Sequence, residues 1–195
     1  MCIKVENCFH WIGFHLINRL LEEGIPVIGI DQVDTPKKEY LSMYVARNDS
    51  FSLHDKEPDE KNFDLAFEVC DLYEDGDRKH VITLLKSSVS RKDTEHIIYP
   101  PKLIGEWMPS KEIISFKNEK TKLQTAACIE NFISAIYQWI EIDTLIPSKF
   151  NVVSSKDRNI SSVKLESYVY LRDNRSIQKY FDTVLNHYHR LQAFY

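Results

Sequence analysis

Residues 5–31, VENCFHWIGFHLINRLLEEGIPVIGID, decide how the chain folds. Residues 2–6 open as a short apolar strand. Apolar residues then recur at Ile12, Leu16, Ile17, Leu20 and Leu21, the spacing of one helix face. Glu22-Glu23-Gly24 closes that helix, the glycine suiting the left-handed position just past its end. IPVIGI (25–30) is a continuous apolar run, as in a parallel strand covered on both faces, and Asp31 stands at its end. Strand, helix and strand so close together make a βαβ unit with a right-handed crossover. The turn into the helix reads Asn7-x-x-His10-x-x-Gly13, where a phosphate-cradling loop carries three glycines.

Working outward, the length of 195 residues suits one domain, or one domain with a small appendage. A hydrophobic fraction of 43% is enough for a real core. The net charge is −4, with Lys and Arg scattered, which argues against nucleic acid or an anionic membrane as partner. No apolar run approaches a membrane span, and Met1-Cys2-Ile3-Lys4 leads into the first strand with no export signal. Cys2, Cys8, Cys70 and Cys128 form no C-x-x-C pair and read as reduced thiols, which points to the cytoplasm.

Residues 32–62 read as polar and irregular, apart from SFSL (50–53) as a short third strand. FDLAFEV (63–69) is the next strand, and HVITLLKSS (80–88) suits strand or helix equally. HIIYPPKLIGEW (96–107) begins as a strand that its two prolines stop. Residues 126–141 carry Ile129, Phe132, Ile133, Ile136 and Ile140 at helical spacing. KFNVVSS (149–155) reads as a strand. The tail repeats the helical period at Ile177, Phe181, Val184, Leu185, Tyr188 and Leu191.

The opening IKVENCFHWIGFHLINRLLEEGIPVIGID resembles the start of the extended short-chain dehydrogenases/reductases, the nucleotide-sugar epimerases and dehydratases. Further pieces follow in the family's order. IIYPPKLIGEWMP is similar to its R-P-x-N-x-Y-G-P-type turn, and CIENFISAIYQWIE to the helix after its Y-V-x-D-x-x-x-A motif. FNVVSS is similar to Y-N-V-G-S-G, and SIQKYFDTVLNHYHRLQ to the closing amphipathic helix. The resemblance implies an α/β fold: a Rossmann-like parallel sheet with flanking helices, shortened in the middle, and a small helical C-terminal part. Residues 1–155 would form the NAD(P)-binding-type domain and 156–195 a helical remnant of the substrate domain.

The departures bear on chemistry. The chain is shorter than the family's members, with the loss falling between residues 70 and 96. There the family carries a helix, a strand with the catalytic Ser/Thr, and a long helix with a Tyr-x-x-x-Lys pair. No Tyr-x-x-x-Lys occurs in this chain; Tyr168-x-x-x-Arg172 comes too late in the order, and Ser87-Ser88 is at most a remnant of the serine strand. Without the lysine, a tyrosine keeps a pKa near its ordinary ~10, and general acid–base catalysis worth about 10²–10⁴-fold is lost. The expectation is therefore no catalytic residue.

The resemblance makes NAD the candidate cofactor and Asn7, His10, Trp11, Ile12, Gly13 and Asp31 the candidate cofactor-binding residues. Asn7 tolerates the left-handed turn of the first glycine, and Gly13 keeps the close helix–strand contact. Asp31 stands where an acid bonds a ribose diol, although a strand-end polar residue opening a loop explains it as well. His10 puts an imidazole where a pyrophosphate needs room, with Phe9 and Trp11 adding bulk. Cys8, His10 and His15 invite a metal reading but lack a fourth ligand of suitable spacing, so no metal ligand is expected. Two readings result. One is a non-catalytic, degenerate NAD(P)-binding frame acting by binding or assembly, with a nucleotide or nucleotide-sugar ligand or a second copy of itself as partner. The alternative is an active NAD-dependent nucleotide-sugar epimerase, dehydratase or reductase using substitute residues or a partner subunit.

Overall fold

The computed structural model describes residues 1–56, 63–74, 77–86, 94–142, 148–154, 168–171 and 175–195. The fold is mixed α/β with a mostly parallel sheet. It divides into two compact units: residues 1–99 with 145–149, and residues 100–144 with 150–195.

The first unit opens with the βαβ that the sequence indicates: β1 (Ile3–Glu6), α1 (Trp11–Glu22) and β2 (Val27–Ile30), with β1 and β2 parallel. Ile12, Leu16, Ile17 and Leu20 are fully buried, so the apolar stripe is the face turned to the core. At the C-terminus of α1, Gly24 takes φ +72°. The Ile25 amide then donates to Leu20 O at 2.9 Å and the Gly24 amide to Leu21 O at 3.0 Å. This paired closure satisfies carbonyls that the helix end otherwise orphans.

Next come α2 (Pro36–Val45), β3 (Phe51–His54), β4 (Leu65–Glu74), β5 (Asp77–Lys86) and β6 (Thr94–Tyr99). The sheet order in this unit is β6-β5-β4-β1-β2-β3. β1 to β4 are parallel, while β5 runs antiparallel to both β4 and β6. The HVITLLKSS stretch is thus strand as far as Lys86; Ser87-Ser88 lies outside the described residues. The segment expected to be irregular contains α2. Thr35 caps it, its hydroxyl accepting from the Lys38 amide at 3.3 Å, and Pro36 fills the first position, where no amide is needed. Leu41 and Val45 are its buried residues, which is why no apolar stripe announces it.

The second unit holds β7 (Leu103–Ile104), α3 (Ser110–Asn118), α4 (Lys120–Thr125), β8 (Ala127–Cys128) and α5 (Ile129–Ile142). β9 (Lys149–Ser154) from Phe150 onward, β10 (Tyr168–Leu171) and α6 (Ile177–Arg190) complete it. β7 pairs with β8 and β9 with β10, both parallel. Phe132, Ile133 and Ile136 of α5, Phe150 and Val152 of β9, and Phe181 and Val184 of α6 are buried. β9 and α6 match the sequence expectation; α5 does so from Ile129, whereas Ala127–Cys128, expected to be helical, form β8, and α3, α4 and β10 are further additions. No helix among the described residues is long and apolar enough to cross a membrane.

Candidate functional site

In open α/β sheets, ligands are taken up beyond the C-terminal ends of parallel strands, facing helix N-termini. The turn from β1 into α1 is such a place, and all six candidate residues lie in it or beside it. Asn7 has φ +52°, the left-handed geometry of a first glycine. Its carbonyl accepts from the His10 amide at 2.9 Å, and its side-chain Nδ2 donates to Val69 O on β4 at 3.0 Å. Gly13 is required by backbone contact: a Cβ there would lie 2.7 Å from Asn7 O and 3.2 Å from Cys8 O. Trp11 and Ile12 are buried in the core.

His10 is the N-cap of α1. Its Nδ1 accepts from the Ile12 amide at 3.3 Å, so the imidazole uses one of the amides with which a helix start would grip an anion. Asp31 is buried, and both of its oxygens are engaged within the protein. Oδ2 accepts from the Phe9 amide at 2.9 Å, while Oδ1 accepts from the Gln32 amide and from Lys38 Nζ, each at 2.8 Å. A carboxylate offers about four lone-pair sites, and three are taken. Burial pulls the Lys38 ammonium down, but its bonds to Asp31 and Asp34 outweigh this and raise it, so the clamp holds a full positive charge. Burial also pushes the Cys8 thiol up, with the nearby Asp31 charge adding to it; Cys8 is a neutral packed thiol.

Two residues that the sequence reading did not single out complete the surroundings of His10. β4 runs on past the last residue of β1, whose Glu6 pairs with Glu68, and so carries Asp71 beyond the strand ends. In the antiparallel β4–β5 pair, Asp71 stands directly opposite His80. His80 Nδ1 donates to Asp71 Oδ1 at 2.7 Å, and His10 Nε2 lies 3.3 Å from the same oxygen. The ligand atoms of these three residues all fall within 4.8 Å of one another. Trp11 packs beside both rings, its centroid 5.5 Å from His80 and 6.3 Å from His10. Its indole Nε1 is buried with no hydrogen-bond partner among the described residues. Cys8 and His15 are not part of this group; His15 instead sets its ring edge-on to Trp11 at 6.4 Å.

The second unit has its own polar cluster. Trp107, at φ +66°, donates its amide to the Tyr195 hydroxyl at 2.7 Å and stacks on the Tyr195 ring at 5.2 Å. That hydroxyl bonds His187 Nδ1 at 2.6 Å, and His187 Nε2 lies 3.4 Å from Glu106 Oε2. Burial pushes both the Tyr195 phenol and the Glu106 carboxyl up. A phenol held neutral in this way is a poor general base. Its role here is to hold a strained turn. Of the nearest Tyr-x-x-x-basic spacing, Tyr168 opens β10 and Arg172 lies outside the described residues.

Compared with family models, with curated proteins and with solved structures, the chain matches none.

Proposed function

We propose that this protein is a non-catalytic, cytoplasmic descendant of the extended short-chain dehydrogenases/reductases, with a Rossmann-type frame retained for binding or assembly. One observation carries the reading: the turn that would cradle a dinucleotide is filled and hydrogen-bonded from within. His10 caps the helix that would meet the pyrophosphate, and Lys38 with two backbone amides occupies the acid that would meet the ribose. The antiparallel β4–β5 pair supports the same reading, because it stands where the resembling family has its catalytic helix–strand–helix. The absence of Tyr-x-x-x-Lys from the whole chain supports it too. The Asn7 turn and the Gly13 contact are kept for folding, since each serves a backbone need without a ligand.

Titration of the purified protein with NAD and with NADP in a calorimeter tests this. The expected result is no saturable heat for either nucleotide, and a gain of affinity in His10→Gly, which frees the space at a cost of only about a few tenths of a kcal/mol for the lost cap. Tight binding by the unaltered protein, with turnover of a nucleotide sugar, would reverse the proposal in favour of an active enzyme.

A further inference from the structure

We propose that His10, Asp71 and His80 form a binding site for a first-row divalent transition metal, of which Zn²⁺ is the best match. The inference stands on these side chains alone and does not depend on the function proposed above.

Two imidazoles and one carboxylate, drawn from the start of α1 and from two adjacent strands, bring their ligating atoms within 4.8 Å of one another. Imidazole selects Zn²⁺, Cu²⁺, Ni²⁺ or Fe²⁺ over Mg²⁺ and Ca²⁺, and two His with one carboxylate is a recurrent three-ligand set with an open position. Bond lengths of about 2.0–2.2 Å around a tetrahedral ion put neighbouring ligand atoms about 3.3 Å apart. His10 Nε2 and Asp71 Oδ1 are already at 3.3 Å. His80 Nδ1 is closer, at 2.7 Å from that oxygen, and all three ligand atoms lie within 4.8 Å of one another, so binding an ion requires a local adjustment of the side chains.

The site is also built rather than merely crowded. The side chains of His10, Asp71 and His80 are 13%, 18% and 9% exposed, so the group is sheltered yet reachable from solvent. Asp71 and His80 are locked by strand register, and His10 by its place at the head of a buried helix. The Trp11 ring packs beside both histidines, and its buried Nε1–H has no hydrogen-bond partner among the described residues.

Proton bookkeeping closes without a co-reactant. Coordination requires the nitrogen of each ring that faces Asp71 to be free of a proton. A proton held there passes, through solvent, to the ring's other nitrogen. His10 then gives up its long cap bond from the Ile12 amide and gains the metal in exchange.

The test uses the full chain, stripped of metal by a chelator and titrated with Co²⁺. The expected result is one equivalent bound, with the intense visible absorption of four-coordinate cobalt and partial quenching of the tryptophan fluorescence. Zn²⁺ should displace the cobalt and Mg²⁺ should not. Asp71→Asn and His80→Gln should weaken binding by at least about tenfold, the loss seen even for outer-shell partners of a metal. His54→Ala and His189→Ala, which remove exposed histidines, should leave it unchanged. No saturable cobalt band in the unaltered protein would overturn the proposal, whether or not the variants fold. So would binding that survives both ligand variants, or that is lost with His54 or His189.

Discussion

The two polar clusters each combine imidazole with a carboxylate and arrange them in opposite ways. In the first unit two imidazoles converge on one oxygen of Asp71. In the second, one imidazole sits in series between a phenol and a carboxylate, with the Trp107 amide at the head of the chain. A series satisfies each polar atom in turn and fixes a conformation, here a tryptophan at φ +66°. A convergent set concentrates ligand atoms at one point, which suits a cation. Burial does not separate the two, since the His80 and His187 side chains are 9% and 7% exposed. Arrangement does.

The largest expected effect is at the serial cluster. His187→Ala removes a buried ring packed edge-on to Trp107 at 4.7 Å and leaves the Tyr195 hydroxyl without its imidazole partner. Urea denaturation should show a loss of about 3 kcal/mol, unaffected by added Zn²⁺. A loss that Zn²⁺ restores would erase the distinction between the clusters. Gly13→Ala attacks the first cluster through its backbone. The added Cβ meets Asn7 O at 2.7 Å, so the turn carrying His10 has to shift, at a cost of about 2 kcal/mol in the same assay.

A pH scan sharpens the contrast further. The phenols of Tyr195 and Tyr180 and the thiol of Cys8 are all raised, in each case first by burial. A group raised in the folded state contributes stability that is complete below its unfolded value and is lost as pH climbs past it. Those unfolded values are 9.0 for the thiol and 10.0 for the phenols. The melting temperature should therefore fall from about pH 9 upward. Tyr195→Phe should flatten part of that fall, and an unchanged slope would mean that the phenol is not held neutral by burial. The smallest effect is at the convergent cluster. Asp71→Asn should cost about 1 kcal/mol without metal and abolish any Zn²⁺-dependent gain in melting temperature.

What the sequence disclosed follows the same division between backbone pattern and convergence. The βαβ opening was legible because a long apolar stripe, a helix-ending glycine and an apolar strand agree with one another. Asn7 and Gly13 were legible because their roles are backbone roles. α2 was hidden by its weak apolar face, although Thr35-Pro36 is a helix-start signal. Asp71 and His80 were missed because their meeting depends on strand register. A signal for it exists: Asp75-Gly76 is a two-residue hairpin sequence, and pairing outward from it sets Asp71 against His80, the register observed. The cluster of Trp107, His187 and Tyr195 joins residues up to 88 positions apart, and no local pattern announces it.

The most direct test of the closed turn is an amide NMR titration with NAD, following the backbone signals of Cys8 to Gly13 and of Gln32. The account predicts that these signals stay in place at millimolar nucleotide while those of His10→Gly move and saturate. Saturable shifts of the same amides in the unaltered protein would contradict it, because the imidazole and the Asp31 clamp would then have yielded to a phosphate and a ribose.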